Sequence, residues 1–116
     1  MDDSIDREVV EAVRRFVDRD VIPVATELEH NDEYPHALVA RMKELGLFGA
    51  TIPTQYGGLG LSFVNYARIM AELSRGWMSL AGVINSHLIM GYIIANHGTE
   101  AQKNYFLPEM AAGAKR

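Results

Sequence analysis

The sequence predicts an all-α protein, an up-and-down bundle of five or six helices around a buried central helix, and three observations carry that reading. First, the stretch from Gly76 to Thr99, GWMSLAGVINSHLIMGYIIANHGT, holds no formally charged residue. A helix apolar on nearly every side has no solvated face and needs neighbours around it. Second, the segments before and after it repeat apolar residues at three- and four-residue spacing, with charges opposite. Third, no run alternates convincingly as a strand, and the connections are short enough for antiparallel helices.

A first helix is predicted from about Ser4 to Asp20. Ile5, Val9, Val13, Phe16 and Val17 form its apolar face, and Asp6, Glu8, Glu11, Arg14, Arg15, Asp18 and Arg19 its solvated one. Glu11 and Arg15 have the spacing of a helical ion pair, worth a few tenths of a kcal/mol at about 0.2–0.5. Pro23 begins or kinks a short helix to about Glu29. Pro35 is read as the first residue of the next helix, with Leu38, Met42 and Leu45 as its stripe and Gly46 as a left-handed stop.

Residues 47–60, LFGATIPTQYGGLG, read as an irregular loop with turn glycines. Ser62 caps a helix to about Arg75 that turns Phe63, Tyr66, Ala67, Met70 and Leu73 inward. The central helix follows from about Ser79 to His97, and Gly98 ends it. Thr99 and Gln102 make a capping box for the last helix, which Pro108 interrupts before a final turn near Gly113.

Length, charge and composition limit function. The 116 residues are read as one domain, 1–116. A net charge of −4 argues against nucleic acid, which favours clustered Lys and Arg. With no cysteine there is no disulfide, thiolate chemistry or Cys-based zinc site. No basic N-terminus followed by an apolar run announces a signal peptide, and no transit peptide is seen. The uncharged stretch is long enough to span a bilayer. Asn85, Ser86 and His87 at its middle would be expensive there, and its flanks lack a positive-inside bias, so a buried core helix is the preferred reading.

No catalytic constellation emerges. Ser86 and His87 are adjacent and diverge by about 100° around a helix. His30, His36, His87 and His97 lack tight metal-ligand spacing, so no metal site is assigned. The glycines of residues 56–60, YGGLG, follow no strand and are not a dinucleotide fingerprint. No carboxylate sits inside a long apolar run where desolvation would make it a general base. The residues alone imply a helical bundle with a buried, faintly polar central helix, of the kind that can wall a pocket for an apolar ligand.

Three blocks, in order, resemble the N-terminal helical domain of the flavin-dependent acyl-CoA dehydrogenases. They are residues 43–62, KELGLFGATIPTQYGGLGLS; residues 84–98, INSHLIMGYIIANHG; and residues 98–116, GTEAQKNYFLPEMAAGAKR, which is similar to the family's G-T-E-x-Q-K-x-x-Y-L-P stretch. The opening segment 18–30, DRDVIPVATELEH, resembles the family too.

The resemblance implies a parent enzyme of three parts, with a middle β-domain and a C-terminal four-helix domain beyond this one. In that family FAD lies between the latter two and reaches a neighbouring subunit. A glutamate removes the α-proton of an acyl-CoA thioester, and hydride passes from the β-carbon to the flavin. The T-E-P-x-x-G-S motif, the dinucleotide-contact arginine and the catalytic base have no counterpart here. The resemblance therefore implies no catalytic, cofactor-binding or metal residue in this chain, no FAD bound to it alone, and inactivity by itself.

What the resemblance does assign is the acyl-chain pocket wall: Ala81, Gly82, Asn85 and Ile89, with Ser86 and Tyr92 at the margins. Ala81, Asn85 and Ile89 are four apart, as one helix face requires. The implied partners are the acyl-CoA substrate, the remaining domains of the family and further copies of the chain, since the family is commonly homotetrameric. Fatty acid metabolism in the cytoplasm, or in the mitochondrial matrix of a eukaryote, is the implied setting. A related flavin monooxygenase or nitroalkane oxidase, or a standalone helical interaction module, fits the same residues.

Overall fold

The computed structural model of the chain describes residues 4–115; Arg116, the end of the third block, lies outside them. Among the described residues there are five α-helices and no strand. Helix α1, Ser4–Phe16, buries Val10, Val13 and Phe16. It does not run on regularly to Asp20. The backbone widens into a π turn, Val17–Val21, where the Ile22 N–H reaches the Val17 carbonyl, and passes directly into α2, Ile22–His30. Pro23 sits in the first turn of α2. Having no N–H, and a ring that abuts the carbonyl four residues back, proline disrupts regular α-helical bonding where the widened turn lies.

The start of α1 corrects the sequence-based face. Ile5 is 58% exposed and Asp6 only 8%. The Asp6 carboxylate is turned inward because donors from a distant segment meet it. Its Oδ2 accepts from the Ser62 N–H at 3.3 Å, the Ser62 hydroxyl at 3.4 Å and Asn65 Nδ2 at 3.0 Å. Glu11 faces Arg14 at 3.6 Å rather than Arg15, and Arg14 also reaches Glu72 at 3.2 Å.

Helix α3, His36–Glu44, buries Leu38, Val39 and Met42. Pro35 stands just before it, its carbonyl accepting the Val39 N–H at 2.9 Å, and Gly46 ends the segment at φ 80°. The loop that follows is irregular, as read, but it is also core. Leu47, Phe48, Ala50, Ile52 and Leu61 are buried. Its backbone is satisfied internally by bonds from the Leu59, Gly60 and Leu61 N–H groups to the Gly49, Ile52 and Ala50 carbonyls, at 2.8, 3.0 and 2.8 Å. Gly58 is required there, since a Cβ on it would fall 2.0 Å from the Ile52 oxygen.

Helix α4, Phe63–His97, is two arms, 63–76 and 78–97, joined at the extended residue Trp77 (φ −165°, ψ 108°). The arms fold back on each other. Phe63 and Tyr92 have ring centroids 5.8 Å apart, whereas a straight helix would separate them by about 43 Å. The segment is long and apolar enough to span a membrane, but it is a bent pair of arms with one side packed into a core. Ser62 caps the first arm, accepting from the Asn65 N–H at 3.2 Å. The inward face of that arm is Asn65, Ile69 and Leu73. Tyr66 and Met70 are half-buried, and Phe63 and Ala67 are exposed, contrary to the sequence-based stripe. The pairing of Asn65 with Asp6 holds the arm in that rotation.

The second arm is not buried all round. Leu80, Ala81, Ile84, His87, Leu88 and Gly91 face the core. Gly82, Asn85, Ser86, Ile89, Met90, Tyr92 and Ile93 are exposed. The reason is thickness. The backbone extends only 18 Å along its shortest axis, room for about two helix layers at 8–10 Å spacing, so an apolar helix is covered on one side alone.

Helix α5, Glu100–Ala111, opens on the expected capping box, with the Thr99 N–H on Gln102 Oε1 at 2.9 Å and the Gln102 N–H on Thr99 Oγ1 at 3.1 Å. Pro108 does not interrupt it. It lies inside the last turn, and the helix ends at Ala111, with Gly113 just beyond it at φ 76°.

Candidate functional site

The fold-back of α4 creates a groove between its arms. Its volume is about 270 Å³, and Thr51, Phe63, Tyr66, Asn85, Leu88, Ile89, Tyr92 and Ile93 line it. Asn85, Ile89 and Tyr92 share it because they recur at four- and three-residue spacing on one helix stripe. Phe63 and Tyr66 come from the facing arm. The Tyr66 hydroxyl donates to Asn85 Oδ1 at 2.7 Å and ties the arms together. Burial raises the Tyr66 pKa above 10.0, so at neutral pH the phenol remains a donor.

The six residues assigned from sequence divide. Asn85, Ile89 and Tyr92 lie together in the groove. Ala81 is 8% exposed and belongs to the core. Gly82 borders open space, with nothing within 4 Å of where a Cβ would stand. Ser86 donates to the Gly82 carbonyl at 2.9 Å and faces a second, larger hollow of about 1150 Å³ between the second arm and α5. Phe63, Tyr66, Thr51, Leu88 and Ile93 went unassigned. The fold-back held the signal for two of them, since a turn near Trp77 brings 63 beside 92 and 66 beside 85.

His87, Met90, Ile93, His97, Phe106, Met110 and Lys115 are among the residues of the larger hollow. His87 is buried, its Nε2 donating to the Met110 carbonyl at 2.9 Å, its ring edge-on to Phe48 and its Nδ1 unpartnered. Among the described residues no group of three or more His, Asp or Glu side chains gathers as metal ligands.

Neither concavity suits a flavin diphosphate. The groove has no charged lining residue. Among the described residues, the formal cation lining the hollow is Lys115, which pairs with Glu109 at 2.8 Å and lies over the Tyr105 ring. The N-terminus of α5 at the hollow's edge is closed by the Thr99–Gln102 box and begins with Glu100. An anion gains nothing there, so no flavin step runs through these side chains. What the groove offers is apolar wall, one hydroxyl–amide pair and no carboxylate for proton transfer.

Residues 4–114 match the family described as acyl-CoA dehydrogenase, N-terminal domain. The chain is 39% identical over 101 residues to a (2S)-methylsuccinyl-CoA dehydrogenase of Cereibacter sphaeroides, covering 86% of this chain and 18% of that protein. It is 31% identical over 119 residues to a short-chain specific acyl-CoA dehydrogenase of Clostridium acetobutylicum, covering 99% and 31%. It is 32% identical over 111 residues to the mitochondrial isovaleryl-CoA dehydrogenase of Pongo abelii, covering 92% and 26%. The chain thus spans between 18% and 31% of the length of these relatives. The helical fold, the ordered motifs and these matches agree: the chain belongs to the acyl-CoA dehydrogenase family of flavin-dependent oxidoreductases, as its N-terminal helical domain.

Proposed function

We propose that this domain supplies one wall of the acyl-chain site in a flavin-dependent enzyme that dehydrogenates acyl-CoA thioesters between the α and β carbons. The observation that carries this reading is the uncharged groove between the arms of α4, on a helix whose outer face is apolar and exposed. Asn85, Ile89 and Tyr92 form its floor and Phe63 and Tyr66 its far side. The chain's own contribution is to hold the acyl tail, limit its depth at Ile89 and exclude water. In this reading proton abstraction and hydride acceptance belong to FAD and to residues of the middle and C-terminal domains. Those domains, the acyl-CoA and further copies of the chain are its partners, and the 116 residues alone bind no flavin and oxidise no acyl-CoA.

The test is chain-length selectivity in the flavoenzyme carrying this domain. One methylene in such a pocket is worth about 1–3 kcal/mol, or 10–200-fold. Ile89→Ala is expected to move the kcat/KM optimum toward longer or branched chains by at least about tenfold, and Ile89→Trp toward shorter ones. An unchanged length profile in both variants contradicts the assignment.

A further inference from the structure

Resting on that reading, we propose that the acyl tail this groove selects carries an uncharged hydrogen-bonding group near its end, with Asn85 as the specificity-determining residue and Tyr66 as the residue that positions it. Three observations converge. Tyr66 Oη donates to Asn85 Oδ1 at 2.7 Å, which occupies the amide oxygen and fixes the amide plane. Among the described residues nothing takes the Asn85 Nδ2 hydrogens, so the groove presents an oriented donor with no protein acceptor. No lining residue carries a charge, so a terminal carboxylate entering the groove would be desolvated without a counterion, which is costly.

A purely alkyl tail would cover that amide and leave its donors unsatisfied, at a cost of the same order as a lost hydrogen bond. A hydroxyl or carbonyl oxygen at the tail accepts from Nδ2 and removes the penalty. Ile89 and Leu88 pack the carbons that precede the tip.

The test compares length-matched substrates in the flavin-loaded enzyme that carries this domain: hexanoyl-CoA, 5-hydroxypentanoyl-CoA and glutaryl-CoA, extended to sets one and two methylenes longer. The tip is remote from the reacting carbons, so differences report binding of the tail. The hydroxylated member of the best pair is expected to match or exceed its alkyl partner in kcat/KM, with the glutaryl compound the poorest. Asn85→Leu is expected to lower the hydroxylated arm by about three- to tenfold while leaving or improving the alkyl arm. Tyr66→Phe is expected to raise KM for the hydroxylated arm alone, with kcat kept. A folding defect would depress all arms together and does not produce that crossing. If acyl-CoAs are oxidised but Asn85→Leu leaves the hydroxyl-to-alkyl ratio unchanged, or the glutaryl compound is preferred, this inference is overturned and the acyl-wall reading stands. If no acyl-CoA is oxidised, both fall.

Discussion

Gly76 faces Val17 so closely that a Cβ added to it would lie 2.7 Å from Val17 Cγ1, and 3.0 Å from Val21 Cγ1. Both valines are wholly buried in the π turn. A β-branched side chain has little rotamer freedom with which to yield. The contact explains why the uncharged stretch begins with glycine: it lets α4 reverse against the junction of α1 and α2. Gly76→Ala gains up to about 1 kcal/mol of helix propensity and loses about 1–3 kcal/mol to overpacking. Net destabilisation is expected in urea unfolding, and Val17→Ala is expected to relieve part of it in the double variant.

Asp6 ties α1 to the start of α4 through Ser62 and Asn65. Removing a buried acceptor that three donors share costs each of them that bond. Asp6→Ala is therefore expected to cost about 1–3 kcal/mol, and Asp6→Asn, which keeps one oxygen, less. Thermal unfolding checks the ranking. Faster amide exchange at residues 62 and 65 in Asp6→Ala would place the loss at the cap.

Tyr66 links stability to alkaline pH. Burial raises its folded pKa above the ordinary 10.0, so its contribution is complete below that value and is lost as pH rises through the folded one. Lys115, raised by its hydrogen bond to Glu109, slopes the same way. The difference between wild type and Tyr66→Phe isolates the tyrosine. The expected result is a shallower loss of stability above pH 10.0 in Tyr66→Phe, with one tyrosinate step above that pH missing from its absorbance titration.

The outer face of α4 brings Ile89, Met90 and Ile93 into solvent near Phe106. An exposed apolar patch of this kind favours association. The 116-residue chain is expected to show an apparent mass that rises with concentration in sedimentation, and Ile93→Glu to hold it monomeric. A wild-type mass independent of concentration contradicts the expectation.

Local chemistry was legible in the sequence. Gly46 and Ser62 fall where a stop and a cap were read, and the Thr99–Gln102 box forms as the residues imply. The residues that misled depend on contacts across the chain. Asp6 is inward because its donors lie 56 and 59 positions away. Phe48 and Ile52 are core although their loop has no periodicity to announce it. In the second arm of α4, lack of charge marks what a helix can be buried against, whereas coverage depends on how much chain is present to do it. Of the site, Asn85, Ile89 and Tyr92 were indicated by the family resemblance, with four-residue spacing supporting a shared face for Asn85 and Ile89. The partner wall at Phe63 and Tyr66 required knowing that the helix reverses at Trp77.

Photolabelling tests the placement of the acyl tail most directly. An acyl-CoA bearing a diazirine at the end of its chain, irradiated in the flavoenzyme that carries this domain, is expected to leave adducts on Tyr66, Ile89 or Tyr92. Adducts confined to Met90 and Phe106, in the hollow on the other side of the arm, would contradict it.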